Sequence, residues 1–134
     1  MFTKTRSARV LLVAAALGAI VLASCTPEEI AAARAYAAHK RANDKFHHVL
    51  SDAGLARLRA CESGGNYRIV SANGLYRGAY QFSRATWNGV AARHYPHLNG
   101  VDPAKASAYD QDRMARALWA ERGRQPWPVC GRRV

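Results

Sequence analysis

Acidic side chains are scarce in this chain. Its 134 residues hold nine Asp and Glu against twenty Lys and Arg, a formal charge of +11. With so few carboxylates, each candidate for proton-transfer chemistry can be weighed by name. The basic excess is spread: residues 1–24 carry +3, residues 25–50 carry +1 and residues 51–134 carry +7. It is mostly arginine scattered singly, without the packed basic run that marks a nucleic-acid grip, so no nucleic-acid partner is expected. Long apolar stretches are equally rare. The one such run, Val10 to Ala23, has fourteen residues, too few to span a bilayer comfortably. Histidine pairs occur at His47-His48 and His94-x-x-His97, but neither has a third or fourth ligand at useful spacing, so no metal is expected. No organic cofactor is suggested either.

Cysteine is limited to Cys25, Cys61 and Cys130. Lys4, Arg6 and Arg9 precede the apolar run, and Leu22-Ala23-Ser24-Cys25 closes it, which are the parts of an export signal. Leu-Ala-Ser-Cys looks like a bacterial lipobox, so Cys25 is expected to be lipidated and to anchor the chain at the outer face of the membrane. The alternative is an ordinary signal peptide and release to the cell wall. Export implies an oxidising compartment, in which Cys61 and Cys130 can persist as a disulfide. An exported basic chain meets anionic wall polymer or lipid head groups. The reading divides the chain into a signal peptide (1–24), an Ala-rich, partly helical tether (25–50) and a folded domain (51–134). Within the tether, Thr26-Pro27-Glu28-Glu29 reads as a capped helix start.

The domain is organised around Cys61-Glu62-Ser63-Gly64-Gly65-Asn66-Tyr67. Leu55, Leu58 and Glu62 are spaced i, i+3, i+7, so they share one helical face before the Gly-Gly break. A carboxyl group carried towards a core or the cleft beside it loses hydration and keeps its proton to higher pH, as a proton donor requires. The competing reading is a glutamate that bonds nearby backbone N–H groups. Ser51 is the expected N-cap of this helix, and Asn73-Gly74 suggests a short hairpin. Ser83 should cap a second helix with Trp87, Val90 and Ala91 on its inner face. Ser107-Ala108-Tyr109-Asp110 should open a third, ending at Gly123 and burying Gln111, Met114 and Leu118. The prolines of Pro126-Trp127-Pro128-Val129-Cys130 exclude a helical tail.

These blocks, together with Gly78-Ala79-Tyr80-Gln81-Phe82-Ser83, Thr86-Trp87 and Trp127-Pro128-Val129-Cys130-Gly131-Arg132-Arg133, resemble the resuscitation-promoting factor (transglycosylase-like) family of the lysozyme-like superfamily. The resemblance implies an α+β, mainly α fold, a small lysozyme-like domain with a short β-hairpin and one disulfide, Cys61–Cys130. It implies Glu62 as the catalytic acid and Asn66, Tyr67, Gln81, Thr86, Trp87 and Trp127 as substrate-binding residues. Tyr67 stands where the family usually has tryptophan. The implied substrate is peptidoglycan, cut at the β-1,4 bond between N-acetylmuramic acid and N-acetylglucosamine, in cell-wall remodelling of the resuscitation type. Other cell-wall hydrolases are partners that the resemblance suggests.

Most glycosidases use two carboxyl groups. The other domain acids, Asp52, Asp102, Asp110, Asp112 and Glu121, match no family nucleophile, and Asp110 and Asp112 suit a helix start. A single-acid scheme follows, in which Glu62 protonates the glycosidic oxygen and then acts as base for the C6 hydroxyl of muramic acid, leaving a 1,6-anhydro product. Attack by water would make the enzyme a muramidase instead. The remaining alternative is a non-catalytic or weakly active wall-binding or signalling lipoprotein, favoured by the basic surface with Arg122 and Arg124.

Overall fold

A computed structural model describes residues 26–134; the expected signal peptide and Cys25 lie outside them. The chain divides into two units, Met1–Ala38 and His39–Val134. In the first, the helix α1 (Pro27–Ala42) begins as a capping box: Thr26 N donates to Glu29 Oε2 at 2.7 Å and Glu29 N to Thr26 Oγ1 at 3.2 Å. No helix of the described residues is long and apolar enough to cross a membrane.

The second unit is mainly helical. Its elements are α2 (Asp52–Ser63), β1 (Tyr76–Arg77), β2 (Phe82–Ser83), α3 (Arg84–His94), a 3₁₀ turn (Pro96–Leu98), α4 (Ala108–Arg122) and a C-terminal 3₁₀ turn (Cys130–Arg133). Each helix starts where a hydroxyl meets an orphan N–H. Ser51, Ser83 and Ser107 accept from Gly54, Thr86 and Asp110 N respectively. The strands pair antiparallel, Tyr76 opposite Ser83 and Arg77 opposite Phe82. Asn73-Gly74 does turn the chain, since Gly74 N donates to Ser71 O at 2.8 Å and Val70 bridges to Arg77. The longer pairing, however, is the next one along, β1 with β2, around Gly78 to Gln81.

The apolar faces meet in one core. Leu55 and Leu58 of α2, Trp87, Val90 and Ala91 of α3, and Met114, Ala115 and Leu118 of α4 are buried together. Phe82 lies edge-on to both Trp87 (5.3 Å) and Trp127 (6.1 Å), and Trp127 stacks on Trp119 (5.9 Å). Gln111 sits inside that core with its amide fully engaged. Its Oε1 accepts from Ala79 N at 2.9 Å, and its Nε2 donates to the carbonyls of Tyr67 and Ala106. Gly78, at φ +77°, makes room for it, because a Cβ there would run into Gln111 Oε1. Cys61 and Cys130 form a disulfide (S–S 2.05 Å) that holds the tail to the end of α2.

The unit begins ahead of the Ser51 boundary expected from sequence. Arg116, on the α4 face opposite solvent, donates to Asp44 Oδ2 at 2.7 Å, to Leu50 O at 2.8 Å and to Asp52 Oδ1. Asp44 and Leu50 are themselves buried. A guanidinium in the interior requires such acceptors, and the segment ahead of α2 supplies them.

Candidate active site

The last turn of α2 presents Glu62. Leu55 and Leu58 are buried beneath it, Gly64 ends the helix in the left-handed region (φ +65°), and the Ser63 hydroxyl bonds the carbonyls of Ala79 (2.8 Å) and Arg59 (3.0 Å). Glu62 is thereby placed on a braced helix end and lines a cleft of about 400 Å³. Gln81 and Tyr76 line the same cleft, as do Pro126, Pro128, Val129 and Cys130 from the disulfide-held tail.

The carboxyl group of Glu62 stands alone. Every other carboxylate of the unit is committed: Asp44 and Asp52 to Arg116, Asp102 to Arg77 and Arg84, Asp110 to Arg113, Glu121 to Arg93 and His94. Asp112 accepts from both tyrosine hydroxyls, Tyr67 at 2.8 Å and Tyr80 at 2.6 Å. Glu62 has neither a hydrogen-bond donor nor a cation, so the competing reading as a cap for backbone N–H groups does not describe its geometry. Burial alone acts on it and raises its pKa above the ordinary 4.5. Asp102 shows the contrary case: the Arg77 guanidinium, with Oδ1 and Oδ2 each 2.7 Å from it, holds its carboxyl below the ordinary range. It is thus an ionic clasp between β1 and the loop before α4.

Of the residues expected at the substrate, Glu62 and Gln81 come together in the cleft. The others do structural work. Trp87 is 0% exposed, with its indole N–H donated to Leu98 O at 3.0 Å. Trp127 is 4% exposed and donates to Tyr80 O at 3.0 Å. Neither indole offers a face on which a sugar ring could stack, which corrects the expectation for both. They are the largest apolar side chains of their segments, and the core takes them. Thr86 sits in the Ser83 cap, its Oγ1 accepting from Ser83 Oγ at 3.0 Å. Asn66 closes an Asx turn to Arg68 N at 2.9 Å. Tyr67 is half-buried against Asp112, its phenol pushed up to about 12 by burial and by that carboxylate. None of these three lines the cleft.

Tyr76, Pro126, Pro128 and Val129 were not anticipated. The signal was faint: in the non-helical tail, the neighbours of a buried Trp127 turn the other way and become cleft wall. Gln81 also carries something invisible in sequence. It has φ +53°, the only described non-glycine residue in the left-handed region, and its Nε2 donates to Gly78 O at 3.0 Å. Strain of this kind persists where a side chain is needed in place. Gln81→Gly should therefore be more stable than Gln81→Ala by about 1 kcal/mol, reversing the usual order. Both should lose activity. Urea denaturation of the two variants checks the first point, and an Ala variant equal to or better than Gly would remove the strain argument.

Among the described residues no group of three His, Cys, Asp or Glu side chains gathers as a metal site.

Residues 50–130 match the family model described as transglycosylase-like domain. The chain belongs to that family, which defines its folded part as a lysozyme-like, transglycosylase-like domain. It is 40% identical over 78 residues to the resuscitation-promoting factor RpfE of Mycobacterium tuberculosis, covering 57% of this chain and 40% of that protein. RpfC of the same species is 44% identical over 72 residues, with 53% of this chain and 45% of that protein covered. The probable transglycosylase SceD of Staphylococcus epidermidis is 37% identical over 73 residues, covering 54% and 32%. The chain thus spans less than half the length of these relatives.

Proposed function

We propose that the protein cleaves the β-1,4 bond between N-acetylmuramic acid and N-acetylglucosamine in peptidoglycan, as a lytic transglycosylase with Glu62 as its one acid and base. The observation that carries this reading is the unpartnered carboxyl of Glu62, its pKa raised by burial, in a cleft with no second carboxylate in its lining. Protonated Glu62 gives its proton to the glycosidic oxygen as the C1–O bond breaks, and the N-acetylglucosamine side departs as an alcohol. Charge then develops on C1 of the muramic ring. The Glu62 carboxylate, now ionised, takes the proton of the same sugar's C6 hydroxyl while that oxygen bonds to C1. The product is a 1,6-anhydro ring, the enzyme regains its starting protonation state, and no water is consumed. A hydrolase would need a group to activate water or to trap C1. Asp112 is hydrogen-bonded to two phenols and the other acids are ion-paired, which favours the internal hydroxyl.

Mass spectrometry of the soluble products from digested peptidoglycan tests this directly. Anhydro-muropeptides, absent with Glu62→Gln, are expected. Reducing muropeptides would replace the transglycosylase by a muramidase, and intact glycan with wall binding retained would leave the binding lipoprotein. On the same reading, residues 1–24 export the chain, Cys25 anchors it by lipid and residues 25–50 form the tether. Membrane fractionation against Cys25→Ala is the test, and a wild type found in the cytosol would refute export.

A further inference from the structure

The unit from His39 onward has a second cleft, of about 510 Å³, that shares no lining residue with the first. Its polar wall is cationic, imidazole or amide: Lys45, Arg113, His39, His94, His97 and Asn43 line it, and no carboxylate does. The tyrosine rings of Tyr95 and Tyr109 complete it. The nearby acids do not line it, although two pair with its wall: Glu121 with His94 and Arg93, and Asp110 with Arg113, while Asp44 is held by Arg116.

Two cations line it, Lys45 without a carboxylate partner and Arg113 paired only through Nη2. Lys45 Nζ donates once, to His94 O at 3.2 Å, and lies 5.6 Å from the Tyr95 ring centre, with no carboxylate within ion-pair distance. Two of its three N–H groups remain available. Arg113 is 8% exposed, with its guanidinium 4.4 Å from the Tyr95 ring centre and 4.9 Å from that of Tyr109. Its Nη2 alone is used, donating to His97 Nε2 at 2.6 Å and lying 2.7 Å from Asp110 Oδ1. Its Nε is the one buried side-chain nitrogen or oxygen among the described residues that has no partner. An orphaned charged donor is costly in the free protein and marks a missing acceptor. His97, accepting at Nε2, keeps its proton on Nδ1 and is a further donor.

We propose that this cleft binds a phosphoryl group carried on a sugar or polyol. Lys45 and Arg113 come from different segments and converge on one space. A tetrahedral group with three free oxygens can accept from both and from an imidazole at once, where a planar carboxylate offers only two oxygens. The volume lies in the range of small-molecule sites and exceeds what an isolated anion fills, so the ester's carbon part rests against the half-buried Tyr109.

Two-dimensional NMR titration of the purified protein with glycerol 3-phosphate, and separately with acetate, tests the assignment. Saturable shifts confined to Lys45, Tyr95, His97, Tyr109 and Arg113 are expected, with acetate at least about tenfold weaker. Lys45→Met keeps the stem over Tyr95 but removes the charge, and should weaken the phosphate ester about tenfold or more; Lys105→Met, at an exposed lysine outside the cleft, should change nothing. Vesicles of phosphatidylglycerol distinguish the source. Broadening at the same residues assigns a lipid head group, and a response to the soluble ester alone assigns a free or polymer-borne phosphate. Shifts scattered over surface arginines, acetate binding as tightly as the ester, or Lys45→Met without effect would each overturn the proposal. The wild-type shift map decides it even if the variant does not fold.

Discussion

Glu62→Gln is expected to lower lytic activity by about 10²–10⁴-fold and, at neutral pH, to raise the melting temperature. The activity loss follows from removing the only carboxyl group that lines the cleft. The gain in stability follows from its environment. Glu62 has no partner that rewards ionisation, and burial lifts its pKa above the ordinary 4.5. Below that ordinary value both the folded and the unfolded carboxyl are protonated, and the group is neutral in its effect. As pH rises through the window up to the raised value, the unfolded chain releases the proton more readily, and folding is increasingly penalised. Above the window the penalty is complete. Glutamine carries none of it, so the difference in melting temperature should be near zero at about pH 3 and positive at pH 7. Thermal melts across pH check the sign. A glutamine variant less stable than wild type at pH 7 would show that the carboxylate makes a structural bond, which returns Glu62 to the role of a helix cap. The activity profile gives a second check, since cleavage should fade as pH passes the raised pKa.

The helix framework was legible because hydroxyl caps and apolar spacing are local. Ser51, Ser83 and Ser107 sit at the starts that their neighbours imply, and Gly64 and Gly123 at the ends. Glu62 could be read from its spacing to Leu55 and Leu58, which turned out to be the buried face beneath it. What sequence could not rank was competition for the interior. An aromatic beside a catalytic motif is equally able to face a sugar or a core, and Trp87 and Trp127 went to the core because each finds a carbonyl for its N–H there. The cleft wall then falls to smaller groups, Pro126, Pro128 and Val129, with Tyr76 as its exposed aromatic.

Two other features depend on partners far away in the chain. Arg116 reads as one more scattered arginine until Asp44 and Leu50, more than sixty residues earlier, are brought beside it. The second cleft likewise joins Lys45 to Arg113 across a span that no motif encodes. Pairings of this kind are set by tertiary packing, and neither spacing nor propensity reports them.

Removing the disulfide as Cys61→Ala with Cys130→Ala should cost about 4 kcal/mol, because the bond closes a loop of 69 residues and restricts the unfolded chain. For a unit of this size that corresponds to a fall in melting temperature of roughly 15–30 °C. The double variant is the proper comparison, since a single one leaves a free thiol beside Glu62. The fold should nonetheless survive at 25 °C. Trp127 anchors the tail independently, through its bond to Tyr80 O and its stack on Trp119. Beyond Trp127 the tail loses its hold, and that is where the cleft wall lies: Pro128, Val129 and position 130 follow directly. Activity at 25 °C should therefore drop by more than the folded fraction does, and treatment of wild type with a thiol reductant should reproduce both effects. Paired melts and product yields separate the two contributions. If the loss of activity merely tracks the unfolded fraction, the tail is a staple alone; a surplus loss in fully folded protein makes the disulfide part of the site, holding one wall of the cleft against the helix end that carries Glu62.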